Sequence, residues 1–250
     1  MGDHVIETKQ LTKEFKGFVA VNSVDLQVRR NTIHALIGPN GAGKTTCFNL
    51  ITKFLTPSRG AIYYNGADIT GLAPYEIADK GLIRSFQISA TFPHLTVLEN
   101  VRIALQRKLG TTFHFWKAGS STAVLDERAR ALLEEVGLGG YAGKLAAELS
   151  YGRKRALEIA TTIAPEPQVL FLDEPMAGMG REDVQRISAL IRRVSAGRTV
   201  LMIEHNLSVV ADLSDKITVL ARGAILAEGT YAEVSANREV VDAYMGAGHA

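Results

Sequence analysis

Cysteine and long apolar runs are scarce in this sequence. Cys47 is the only cysteine among 250 residues, so the chain cannot form an internal disulfide, as expected in a reducing compartment. No run of about 18 apolar residues occurs, so we expect no segment that crosses a membrane. Residues 1–10 also lack the apolar stretch of a secretory signal. These absences exclude a disulfide-stapled scaffold and an integral membrane protein.

An excess of charge of one sign is also missing. The formal net charge is +2, which predicts no polyanion-binding surface and no nucleic-acid partner. Hydrophobic residues make up 46% of the chain, enough for a substantial core, and we find no internal repeat or low-complexity segment. The length therefore predicts one large α/β domain, or one domain with a substantial insertion.

Apolar runs alternate along the chain with segments of helical periodicity, which predicts a parallel-sheet core. We predict strands at 19–28, 33–38, 60–66, 168–174, 199–205 and 216–220, and a hairpin that turns at Arg222-Gly223. We predict helices at 45–54, 97–109, 125–136, 151–163 and 184–194. The stretch 88–163 contains helices and no convincing strand, so we interpret it as a helical subdomain inserted into an α/β core of residues 1–87 and 164–250. Residues 110–122, which include the aromatic stretch Phe113–Trp116, are expected to be an irregular excursion.

The stretch "GPNGAGKT" fits the phosphate-loop pattern G-x-x-x-x-G-K-[ST] completely, between an apolar strand and a predicted helix. Its glycines let the backbone wrap around phosphate oxygens, and the helix start supplies a positive field. Lys44 can reach the β- and γ-phosphates, and Thr45 can place its hydroxyl on Mg²⁺. A dinucleotide fold fits poorly, because no third glycine follows Gly41 and Gly43 at the required spacing. The candidate ATP-binding residues of the loop are Gly38, Pro39, Asn40, Gly41, Ala42, Gly43, Lys44, Thr45 and Thr46.

Carboxylates follow the apolar run "LFLDE". The carboxyl end of a buried strand is where open α/β sheets bind ligands, so Asp173 is a candidate Mg²⁺ contact. Glu174 is suited to polarise a water molecule toward the γ-phosphate. His205 ends the apolar run "TVLMIEH", and we expect it at the same sheet edge as Glu174, where it could hydrogen-bond the γ-phosphate.

A second anion-binding design occurs at "LSYGRKR", where the turn Ser150–Gly152 runs directly into an amphipathic helix. A helix start offers free N–H groups and the positive end of a dipole, yet the phosphate loop upstream is already complete. The alternative is an ordinary N-capped helix, since serine is a favoured cap.

Together, these residues resemble the nucleotide-binding subunit of ATP-binding cassette (ABC) transporters, in the right order over nearly the whole chain. The resemblance implies an α/β fold with a P-loop NTPase core, an inserted helical subdomain and an antiparallel β part. It implies a Walker A motif at 38–46, a Walker B motif that ends at Asp173, and Glu174 as the catalytic carboxylate. Gln87 matches the family's Q-loop residue, with a catalytic and Mg²⁺-binding role, His205 the switch histidine, and Phe15 the aromatic that stacks on adenine.

The resemblance also answers why the chain carries a second anion site. In this family two subunits face head to tail, and the signature motif of one, here Leu149, Ser150, Tyr151, Gly152 and Arg153, caps the γ-phosphate bound by the other. The implied ligands are ATP and Mg²⁺, the latter held by Thr45, Gln87 and Asp173. Tyr151 stands where the family's signature has a glycine, Arg153 where it has glutamine, and Gly180 where the following D-loop often has aspartate or asparagine.

A narrower resemblance links "SYGRKRALEIA", "DEPMAGM", "IEHNL" and "VVDAYMG" to the ATPase subunits of branched-chain amino acid uptake systems. It implies a peripheral protein at the cytoplasmic face of the inner or plasma membrane. The implied partners are a second ATPase subunit, in a homodimer or a heterodimer, transmembrane permease subunits and, indirectly, a solute-binding protein. The alternative is a soluble ABC ATPase that acts on nucleic acid or ribosome assemblies, although its usual coiled-coil insertion or second cassette is missing. A non-enzymatic scaffold is disfavoured by the intact Glu174.

Cys47 directly follows the phosphate loop in the predicted helix. The helix dipole lowers a thiol's pKa in the first turn, so we expect Cys47 to react with thiol reagents and bound ATP to protect it.

Overall fold

The computed structural model describes residues 3–84, 91–108 and 120–246, which form two β-sheets and the helices that pack against them. The strands of the larger sheet are β4 (Ile33–Ile37), β7 (Leu82–Arg84), β8 (Val169–Asp173), β9 (Thr199–Ile203), β10 (Lys216–Ala221) and β11 (Ala224–Gly229). They run in the order β11-β10-β4-β9-β8-β7, parallel except for the β10–β11 hairpin. Every residue of β4, β8 and β9 is buried, which explains their continuous apolar runs.

The smaller sheet is antiparallel and is built around one long strand. Its strands are β1 (His4–Phe15), β2 (Phe18–Val24), β3 (Gln27–Arg29), β5 (Arg59–Tyr64) and β6 (Ala67–Asp68). We did not predict β1, because its apolar residues alternate irregularly and its register shifts around Gln10, which has a positive φ of 48°. The prediction of one continuous strand at 19–28 is wrong. The segment forms two strands, β2 and β3, which pair with different parts of β1.

The helices are α1 (Lys44–Ile51), α2 (Pro74–Asp79), α3 (Val97–Lys108), α4 (Ser120–Glu135), α5 (Tyr151–Ile163), α6 (Arg181–Val194), α7 (Leu207–Leu213), α8 (Tyr231–Ala236) and α9 (Arg238–Gly246). The bounds of α5 match the prediction, whereas α4 begins five residues before the predicted 125 and takes in the end of the predicted excursion. The short helices α2, α7, α8 and α9 were not predicted. In the described residues from 91 to 163 the only β pairing is an isolated bridge between Thr96 and Leu145.

The larger sheet separates two apolar clusters. One face packs with α1 and the antiparallel sheet, through residues such as Leu36, Phe48 and Phe171. The other face packs with α5, α6 and α7, and α3 and α4 continue the same cluster. These layers match the predicted α/β core with an antiparallel part, while the boundary at residues 88 and 163 remains a prediction. Every helix within the described ranges is too short or too polar to cross a bilayer.

Candidate functional site

The phosphate loop connects the end of β4 to the start of α1 and is held by backbone on both sides. Gly38 and Gly43 have φ values of 147° and 96°, which favour glycine. A Cβ atom on Gly38 would lie 2.1 Å from the carbonyl oxygen of Leu220, and one on Gly43 would lie 2.4 Å from that of Ala20. Glycine at these positions therefore lets the loop pass close to β10 and β2.

Lys44 lies across this loop. Its Nζ donates hydrogen bonds to the carbonyl oxygens of Gly38 at 2.7 Å and Pro39 at 2.9 Å. Burial lowers the pKa of Lys44, and the charge of the Glu174 carboxylate opposes that shift. The α1 N-terminus has no side-chain cap, so its first N–H groups are available to an anion, beside the exposed Thr45 and half-buried Thr46.

The Cys47 side chain of α1 lies in the apolar cluster of the core. The prediction of a reactive thiol is therefore wrong. The side chain is fully buried in the cluster under the antiparallel sheet. Burial raises the pKa of Cys47 to about 12, because the thiolate would be separated from water. The loss of hydration therefore outweighs the helix dipole on which the prediction relied.

Asp173 ends β8 with a nearly buried side chain and forms an ion pair with Arg84. Arg84 Nη2 lies 2.6 Å from Asp173 Oδ2, and its Nη1 donates to Asn49 Oδ1 at 2.6 Å and to Thr52 Oγ1 at 3.2 Å. Arg84 thus connects β7, β8 and α1 beneath the phosphate loop. We did not single out Arg84 from the sequence, although an arginine that follows the apolar residues of "GLIR" was a visible signal.

Glu174 and His205 lie next to each other where β8 and β9 end, so the expected common sheet edge is confirmed. Glu174 Oε2 is 3.9 Å from His205 Nδ1, and the two side chains are 29% and 62% exposed. Asp173 pairs with Ile203, and the N–H of Glu174 donates to the Ile203 carbonyl. Glu174 and His205 follow β8 and β9, which end earlier than predicted, at Asp173 and Ile203. Glu174 has a positive φ of 44°.

Glu204 is a fully buried carboxylate that contacts the backbone after Glu174 and the backbone of His205. We did not single it out from the sequence. Its Oε2 accepts hydrogen bonds from the N–H groups of His205 at 2.8 Å and Asn206 at 3.0 Å. Its Oε1 accepts one from the N–H of Met176 at 3.2 Å. These bonds satisfy the buried oxygens and fix the position of His205 relative to the loop after Glu174.

The signature turn lies at the start of α5. Ser150 is the exposed N-cap residue and its side chain makes no capping hydrogen bond, so the interaction expected of the ordinary-cap alternative is missing. Tyr151 Oη donates to the carbonyl oxygen of Ala177 at 2.9 Å, and the Arg153 guanidinium lies 4.4 Å from the centre of the Tyr141 ring. Leu149 is buried and anchors the turn in the core.

Arg155, one turn into α5, is buried and reaches the end of β8. It forms an ion pair with Glu158 and donates to the carbonyl oxygens of Asp173 and Pro175, both at 3.2 Å. The signature helix and the Glu174 segment of one chain are therefore in direct contact.

Phe15 ends β1 and is 41% exposed, with Lys13 Nζ 5.1 Å from the centre of its ring. The Phe15 ring is therefore not part of the core. Gln87 and the aromatic stretch 113–116 lie outside the described residues.

Comparison with family models gives two matches. Residues 21–177 match the model described as "ABC transporter", and residues 224–250 match the model described as "Branched-chain amino acid ATP-binding cassette transporter". The first match contains the phosphate loop, the signature turn and Glu174, and the second contains β11, α8 and α9.

The chain is also similar to characterised proteins over almost its entire length. It is 40% identical to the high-affinity branched-chain amino acid transport ATP-binding protein BraF of Pseudomonas aeruginosa, covering 98% of this chain and 99% of BraF. It is 37% identical to the corresponding protein LivG of Escherichia coli, with coverage of 98% and 99%. Among solved structures, the ADP conformation of MJ1267, an ATP-binding cassette of an ABC transporter, superimposes with a TM-score of 0.85 at 30% identity, covering 97% of this chain and 99% of that one.

Proposed function

This chain belongs to the ABC transporter family, and from that premise we propose that it is the ATP-hydrolysing subunit of an importer for branched-chain amino acids or related small polar solutes. The names of BraF and LivG support the cargo class. The observation that carries the chemistry is the placement of the phosphate loop, Glu174 and His205 at one edge of the sheet.

ATP binding is assigned to the phosphate loop and Phe15. The phosphates take the free N–H groups of the loop and of the first turn of α1, and Lys44 exchanges its two backbone carbonyls for phosphate oxygens. Phe15 stacks on the adenine with its exposed face.

Thr45 and Asp173 offer the hard oxygen ligands that Mg²⁺ prefers. Waters and phosphate oxygens would complete the coordination. When bound, Mg²⁺ neutralises charge that develops on the phosphates. Arg84 holds the Asp173 carboxylate in place through the 2.6 Å ion pair. Gln87 is proposed as a further ligand.

Hydrolysis is assigned to Glu174, which orients a water and accepts its proton during attack on the γ-phosphate. We propose that His205, whose Nδ1 lies 3.9 Å from Glu174 Oε2, donates a hydrogen bond to a γ-phosphate oxygen. Glu204 holds the backbone of His205 by accepting its N–H, so the two groups keep a fixed separation.

The signature turn is proposed to act on ATP held by a second ATPase subunit. Ser150 is exposed and does not cap its own helix, so its hydroxyl and the N–H groups of α5 face outward. A two-fold or pseudo-two-fold pair would place each signature over the partner's phosphate loop. The second subunit is either another copy of this chain or a related ATPase.

Transport requires permease subunits, and we propose that this chain attaches to them at the cytoplasmic face of the inner or plasma membrane. A solute-binding protein would act through the permease and not on this chain directly. The alternative, a soluble ABC ATPase on nucleic acid or ribosomes, is disfavoured because the net charge of +2 gives the chain little excess of positive charge for a polyanion.

Tandem purification of the tagged full-length chain from native membranes tests the proposal. We expect hydrophobic permease subunits and ATPase activity in the purified complex. Recovery of ribosomes or nucleic acid without permease subunits would favour the alternative.

The Glu174→Gln variant tests the enzymatic role in the same preparation. It should keep ATP binding and lose hydrolysis by about a hundredfold or more, because the amide cannot accept the proton. Turnover within a few-fold of the unmodified protein would assign the base to another residue.

A further inference from the structure

The start of α5 and the loop that follows Glu174 are connected by a short chain of hydrogen bonds. Tyr151 Oη donates to the Ala177 carbonyl at 2.9 Å, and the Ala177 N–H donates to the Glu174 carbonyl at 3.1 Å. Two hydrogen bonds therefore separate the Tyr151 hydroxyl from the backbone of the proposed catalytic carboxylate.

Tyr151 is held by this hydrogen bond more than by packing. Its side chain is 58% exposed, so most of the ring gains no stabilisation from burial. The hydroxyl nevertheless reaches the loop, and a Cβ atom on Gly178 would lie 3.7 Å from it. A tyrosine with this exposure is suited to hold a backbone carbonyl and contributes little to the core.

Buried side chains hold the beginning of the loop, and its middle has less support. Pro175 and Met176 are buried. Arg155 donates to the Pro175 carbonyl, and Glu204 accepts the Met176 N–H. Gly178 has a positive φ of 74° and offers no side chain, so the Tyr151 hydroxyl holds the middle of the loop at Ala177.

The backbone of Glu174 needs such support. Its φ of 44° is in the left-handed region, which costs a non-glycine residue free energy and persists only when neighbouring contacts maintain it. Loss of the Ala177 contact would allow the Glu174 backbone to relax and its carboxylate to leave the position required for attack.

We propose that Tyr151 is a positioning residue for hydrolysis, which keeps the Glu174 carboxylate aligned through Ala177; the inference rests on the proposed role of Glu174. Because Tyr151 belongs to the signature turn, movement of that turn on the partner's ATP would also move the carboxylate of its own chain. The signature turn would then report the state of one nucleotide site to the other.

The Tyr151→Phe variant tests this, with Tyr75→Phe as the matched control because the Tyr75 side chain is similarly exposed at 66%. Loss of one hydrogen bond should lower kcat by about three- to tenfold. The KM for ATP should stay within about twofold and the melting temperature within about 2 °C, because the ring remains and is not part of the core. The control should match the unmodified protein in all of these measurements.

Hydrogen exchange provides a readout that does not depend on turnover. Amides of residues 176–180 should exchange faster in Tyr151→Phe than in the control, while those of β4 and β9 remain unchanged. Unchanged exchange or unchanged kcat would overturn the proposal, as would a KM effect without a kcat effect, which would place Tyr151 on the nucleotide instead. If Glu174→Gln keeps full turnover, the assignment of Glu174 fails, and the exchange result then still shows whether Tyr151 holds the loop.

Discussion

The phosphate loop and the signature turn are both turns that open a helix whose first N–H groups have no side-chain cap. They differ in what surrounds them. The phosphate loop is enclosed by the backbone of Leu220 and Ala20 and by its own Lys44. The signature turn exposes Ser150 and Tyr151, while Leu149 is buried in the core and Tyr151 Oη bonds to the loop after Glu174. The phosphate loop is therefore enclosed by its own chain, whereas the signature turn has an open side, as its proposed action on a partner's ATP requires.

The largest expected effect comes from adding one methyl group to the phosphate loop. Gly43→Ala should lower ATP affinity by at least about a hundredfold and destabilise the fold by about 3 kcal/mol, because its φ of 96° and a backbone oxygen 2.4 Å from the new Cβ both oppose it. Nucleotide titration and thermal unfolding measure the two effects.

Gly152→Ala is the matched variant in the signature turn. Its new Cβ would meet the Asp183 carboxylate at 2.4 Å, but this is the end of a side chain that can rotate away, so we expect a cost of about 1 kcal/mol or less and unchanged ATP affinity. Equal damage by the two variants would mean that the signature turn is as tightly enclosed as the phosphate loop.

A smaller, partial effect is expected when two defective subunits are mixed. Lys44→Ala removes phosphate binding and Ser150→Arg blocks the signature, so each homodimer has two defective composite sites. A heterodimer has one intact site, and random mixing in equal amounts should restore about a quarter of the intact sites by two-fold symmetry. ATPase activity, and ATP-induced dimerisation in a Glu174→Gln background, measure the recovery.

Ser235→Arg, at another exposed serine, controls for the added charge and should be fully active. If neither readout recovers, the shared-site model for a homodimer is wrong, and the same mixing is then repeated with the sister ATPase present.

The smallest effect at neutral pH concerns Cys47, on the buried side of the phosphate-loop helix. Its thiol should react with maleimide at the same slow rate with and without Mg-ATP. Since burial raises the pKa of the Cys47 thiol to about 12, the unfolded chain ionises first, and the free energy of unfolding should fall as the pH rises above about 9, by about 1 kcal/mol at pH 10. Cys47→Ala should lack that part of the alkaline loss in unfolding experiments. Fast labelling that ATP suppresses would instead place the thiol at the nucleotide.

Local sequence patterns determined much of this protein. The complete phosphate-loop pattern, the continuous apolar runs of β4, β8 and β9, and the bounds of α5 could each be predicted because a few neighbouring residues are sufficient to define them. The resemblance to ABC nucleotide-binding subunits, drawn from such stretches, is confirmed by the matches along the chain.

Only the tertiary structure decided the contacts between distant segments. Arg84 meets Asp173 across 89 positions, and Tyr151 meets Ala177 across 26. The position of Cys47 in the first turn of α1 predicted that the helix dipole would lower its pKa, but burial under the antiparallel sheet raises that pKa instead. The irregular strand β1 was likewise missed, because its register is set by pairing with β2, β3 and β5 and not by its own periodicity. A sequence pattern records which residues are neighbours along the chain, whereas burial and ion pairing depend on which segments the fold brings together.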